Sequence, residues 1–137
     1  MSINCTPPIP YSSFNPRTGS HELESGQGII RLTVKSFLNQ IADPKTWFEE
    51  FCSKLGTPIS QSAEGELVLS IRDLSFGRDD PKTRGPNTNR KLGFHSDRCD
   101  VIAFICLRPA MTGGENQVVD SREVEKIIKS ERPDLYN

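Results

Sequence analysis

LGFHSDRCDVIAFICLRPAMTGGENQVVDS, residues 92–121, is the stretch on which the reading of this chain turns. Residues 92–97 read as a strand. Alternate strand residues project to one side, so His95 and Asp97 point together and offer an imidazole and a carboxylate to one cation. Residues 101–107 (VIAFICL) are apolar throughout, the pattern of a strand buried on both faces. Gly113-Gly114 marks a tight turn, serving either the chain reversal alone or a close approach of backbone to a ligand. Residues 117–119 make a short strand. Asp120, with Glu123 three positions on, has the form of a capping box. It opens a helix that buries Val124, Ile127 and Ile128 and that Pro133 ends.

Upstream, Val34, Phe37, Leu38 and Ile41 recur at helical spacing until Asp43-Pro44 interrupts them. Asp43 suits an N-cap and Pro44 the first helical position. Trp47, Phe48, Phe51 and Leu55 then share a face before Gly56 closes a second helix. Those aromatics belong to a core rather than to a platform for stacking bases. Leu67, Leu69 and Ile71 line one side of a strand. Residues 77–91 (GRDDPKTRGPNTNRK) hold almost nothing apolar and read as a long surface loop. Residues 1–28, with Pro7, Pro8, Pro10 and Pro16 among Gly, Ser and Asn, read as an irregular leader. Two helices, a run of strands and a late helix give an α+β chain with a largely antiparallel sheet over residues 29–137.

Composition removes several classes of function. The 137 residues carry 17 Lys plus Arg against 18 Asp plus Glu, a net charge of −1, which leaves no global attraction for nucleic acid. The longest apolar run is far short of the roughly 18 residues that span a bilayer. No basic, apolar leader signals secretion, so a soluble cytoplasmic protein is expected. Cys5, Cys52, Cys99 and Cys106 are widely spaced and read as reduced thiols. With His95 they match no zinc-finger spacing. Arg78, Lys82, Arg84, Arg90 and Lys91 gather positive charge ahead of the His-x-Asp strand, diluted by Asp79 and Asp80. They read as a solvated loop or as a recruiter of an anionic substrate.

His95-Ser-Asp97 supplies two arms of a 2-His-1-carboxylate triad, the arrangement that holds Fe(II) with positions left open. The tripeptide alone is equally a strand histidine hydrogen-bonded to a carboxylate. Context favours the first reading. The aromatic-His-x-Asp opening, the apolar strand ending in Leu107-Arg-Pro-Ala110 and the Gly113-Gly-Glu-Asn116 turn resemble the TauD/TfdA-like (taurine dioxygenase) family of Fe(II)- and 2-oxoglutarate-dependent oxygenases. So do Leu55-Gly-Thr-Pro-Ile-Ser-Gln61 and Ile71-Arg-Asp-Leu74 upstream.

The resemblance implies a double-stranded β-helix, or jelly roll, with flanking helices. It implies His95 and Asp97 as iron ligands, and Asn116, where the family usually carries Thr or another polar residue, as a contact to the 2-oxoglutarate carboxylate. It also implies a second histidine and a following arginine downstream, but no histidine follows His95, and His21 lies in the leader, poorly placed to preorganise a metal. Arg122 and Arg132 read as late-helix residues, solvated or paired with Glu125 and its neighbours. The chain is therefore expected to be the N-terminal part of an oxygenase acting on a small molecule: a truncated product, an incompletely read gene or a degenerate paralogue. Its unpaired strand edges would favour self-association. The alternative is a non-catalytic remnant acting as an interaction or regulatory protein.

Overall fold

A computed structural model describes residues 7–26, 28–74, 79–81 and 88–136. In chain order the elements are β1 (Ile9–Pro10), α1 (Pro16–Ser25), β2 (Leu32–Thr33), α2 (Lys35–Leu38), α3 (Pro44–Ser53) and α4 (Ser121–Glu131). Short 3-10 turns occur at Tyr11–Ser13 and Pro133–Leu135. The chain divides into two compact units, one of Met1–Ile41 with Cys106–Asn137, the other of Ala42–Ile105.

In the first unit, β1 and β2 pair in parallel with Ile9 opposite Leu32 and Pro10 opposite Thr33. The Ile9 N–H donates to the Arg31 carbonyl at 2.8 Å. Residues 16–25 correct the expectation of irregular chain over 1–28, since they form α1. The cause is local. Asn15 accepts from the Arg17 N–H at 3.0 Å, and Pro16, which has no N–H to leave unsatisfied, occupies the first turn. The Phe14 ring lies against the buried Gly19, where an added Cβ would come within 2.3 Å of it. A side chain at position 19 would therefore displace that ring. The helix expected from Val34 to Ile41 contracts to the single turn of α2, whose N-cap residue, Val34, has no side-chain acceptor for the first N–H groups. Phe37 stacks on Tyr11 with ring centroids 5.1 Å apart.

α4 begins where expected. Asp120 accepts from the Arg122 N–H at 2.9 Å, but the capping box is not closed, because Glu123 pairs with Lys126 at 2.6 Å instead. The expected buried face is corrected too: Val124 and Ile127 are exposed, and no α4 residue is buried. The last residues fold back on the helix. Tyr136 donates its hydroxyl to Glu125 at 2.6 Å, and the Lys129 ammonium sits 4.2 Å from the centre of the Tyr136 ring.

The second unit is organised by α3. Asp43 accepts from the Lys45 N–H at 3.0 Å, with Pro44 in the first turn, as the sequence predicts. Phe48 and Phe51, each 8% exposed, are the buried hydrophobic residues among those described, and Trp47 stacks on Phe51 at 5.7 Å. The helix ends in a tightened turn in which the Lys54 and Leu55 N–H groups donate to the Phe51 and Cys52 carbonyls at 3.1 and 2.9 Å. Gly65, at φ +86°, completes a turn that returns the chain so that Glu66 meets Lys45 at 3.2 Å. The stretches read as strands at 67–71, 92–97, 101–107 and 117–119 carry no ladder. The only sheet among the described residues is the β1–β2 pair, parallel rather than antiparallel. Nor is 101–107 buried: Phe104 is 72% exposed, and Ile102 and Leu107 are exposed as well. A strand satisfies its backbone only across a ladder, so an apolar run with no partner beside it stays open whatever its composition. Of the loop expected at 77–91, residues 77–78 and 82–87 lie outside the described residues. Asp79 and Pro81 are in turn conformation. No described helix is long and apolar enough to cross a membrane.

Candidate metal centre

The candidate ligands lie on an exposed segment of the second unit. His95 Nε2 is 3.8 Å from Asp97 Oδ2, with side-chain exposures of 51% and 54%. The two groups therefore converge, as the i, i+2 spacing predicts, although no ladder flanks them. At 3.8 Å they are beyond a good hydrogen bond. The alternative of a histidine bonded to its neighbouring carboxylate is thus not what the geometry presents.

The other ring nitrogen is engaged. His95 Nδ1 lies 2.9 Å from the Gly93 carbonyl. A carbonyl only accepts, so this bond requires the proton on Nδ1, and in the neutral ring that leaves the lone pair on Nε2, the nitrogen nearer Asp97. This is the tautomer a metal-ligating imidazole uses, and a backbone carbonyl is a common orienting partner for one. Sequence reading did not find Gly93. Every residue carries a carbonyl, so nothing in the residue type announces the role.

One neutral imidazole and one carboxylate fit a divalent transition metal in donor type. They do not complete a site, and no group of three or more His, Cys, Asp or Glu able to hold a metal occurs among the described residues. Cys99, two residues beyond Asp97, is exposed and adds no such group. Among the thiols, Cys52 is half-buried on α3, and burial, reinforced by the Glu49 charge, raises its pKa above the ordinary value. Cys5 lies outside the described residues, and the other three cysteines are free.

The remaining candidates belong to the first unit. Asn116 is exposed and follows Gly113 and Gly114, whose φ values of +73° and +82° are accessible to glycine and strained for other residues. The tight turn expected at this pair is not formed there: the chain bends at Met111–Thr112, and the two glycines that follow are in irregular backbone. His21, on α1, has Nδ1 3.1 Å from Ser25 Oγ. Arg122 and Arg132 engage Asp120 and Asp134 at 2.8 and 2.7 Å rather than the expected Glu125, which pairs with Lys129 at 2.9 Å.

FR-33289 synthase from Streptomyces rubellomurinus (strain ATCC 31215) is 42% identical to this chain over 82 residues, which is 59% of the chain and 24% of that relative. The matched segment thus spans about a quarter of the relative's length. No solved structure matches the chain. Residues 15–137 match the taurine catabolism dioxygenase TauD, TfdA family, and that match takes in α1, the His95–Asp97 pair, the Gly113-Gly114 pair and α4. The chain belongs to this family of Fe(II)/2-oxoglutarate oxygenase type.

Proposed function

We propose that this chain contributes the His95–Asp97 pair to an Fe(II)- and 2-oxoglutarate-dependent oxygenase centre acting on a small molecule in the cytoplasm. The observation that carries the reading is the convergence of His95 Nε2 and Asp97 Oδ2 at 3.8 Å in a member of this family. His95 would hold the cation through Nε2 while the Gly93 carbonyl restrains the ring from behind. Asp97 would offset part of the divalent charge. Asn116 would donate its side-chain amide to a carboxylate of 2-oxoglutarate. Bound iron would supply the oxidative chemistry, coupling decarboxylation of the cosubstrate to attack on a C–H bond.

A facial triad needs a second histidine, and none follows His95. We therefore take residues 15–137, the extent of the family match and so including α1 from the expected leader, as one portion of the catalytic domain. The missing nitrogen donor, and an arginine for the distal carboxylate of 2-oxoglutarate, would come from further polypeptide. The uncovered apolar side chains support this view, and they give the isolated chain a tendency to self-associate.

The test is succinate formed from 2-oxoglutarate under Fe(II), ascorbate and oxygen, compared between native chain and His95→Ala. The 137-residue chain alone should form none that depends on His95. Joined to the C-terminal part of a relative such as FR-33289 synthase, it should form succinate that His95→Ala abolishes, and Asn116→Ala should weaken 2-oxoglutarate more than iron. Enzymatic succinate from the chain alone would overturn the view that it is a portion of a centre. His95-independent succinate, or none, from a folded joined protein would overturn the oxygenase reading in favour of an interaction or regulatory role.

A further inference from the structure

We draw no further inference here: the strongest candidate, the apolar cleft of about 310 Å³ beside α1 and the β1–β2 pair, lined by Ile9, Phe14, Gly19, Ile29, Ile30 and Arg31, holds no buried polar side chain that would select a ligand, and nothing in the structure shows what covers it.

Discussion

α3 and the run at 92–105 lie in the same unit and are both rich in large apolar residues, yet Phe48 and Phe51 are 8% exposed whereas Phe94 and Phe104 are 71% and 72% exposed. The helix closes its own backbone hydrogen bonds, so two aromatics four or fewer positions apart can stack and shield one another before anything else arrives. An extended run leaves its N–H and C=O groups pointing sideways and its side chains pointing up and down. Both need neighbours distant in sequence. Apolar composition thus states how much surface needs covering, and backbone geometry decides whether a segment can begin to cover it alone.

The sharpest way to break this contrast is to truncate one aromatic from each region. Phe51→Ala should destabilise the protein by about 3 kcal/mol, the lower end of the range for a buried Phe, because the ring is stacked but not fully enclosed. Phe104→Ala should stay within about 0.5 kcal/mol, as for an exposed residue. Urea unfolding of both variants measures the difference. Equal losses would mean that 101–107 is covered in solution, as self-association would produce, and light scattering on the same samples would show whether a second copy does the covering.

A second test asks whether the open region nevertheless holds an organised pair of ligands. In an anaerobic Fe(II) titration the native chain should bind weakly, and His95→Ala or Asp97→Ala should each lower the affinity by about 10- to 100-fold or more. Binding indifferent to both substitutions would remove this pair from the candidate centre.

Thiol chemistry probes the same contrast without disturbing it. Cys99 and Cys106 are exposed while Cys52 is half-buried with its pKa raised, so an alkylating reagent near neutral pH should modify the first two well ahead of Cys52. Peptide mapping after brief labelling reads the order directly. Early labelling of Cys52 would show that the α3 core opens readily.

The smallest effect expected is on α4. Hydrogen bonds from Arg122 hold the Asp120 carboxyl below its ordinary value, the Tyr136 hydroxyl and then Lys129 do the same for Glu125, and Arg132 does so for Asp134. A carboxyl with a lowered folded-state pKa stabilises the fold fully above its unfolded-state value and loses that contribution as pH falls through the folded-state value. Helical circular dichroism should therefore decline on acidification below about pH 4. Asp120→Asn, which keeps a capping oxygen but cannot ionise, should reduce that decline.

The sequence by itself determined the features whose causes lie within a few residues. Asp43-Pro44 starts α3, Asp120 starts α4, Gly113-Gly114 takes positive φ, and His95 and Asp97 converge because two positions separate them. The same local logic worked in 16–25, where Asn15-Pro16 opens a helix that a reading weighted towards proline content passed over. Only the tertiary structure decided which apolar faces are covered. It left those of 92–105 and α4 open and paired β1 with β2 in parallel. The physical reason is that caps, turns and i, i+2 projection are fixed by bonded geometry, whereas ladders and burial depend on partners that a local pattern requires but does not name.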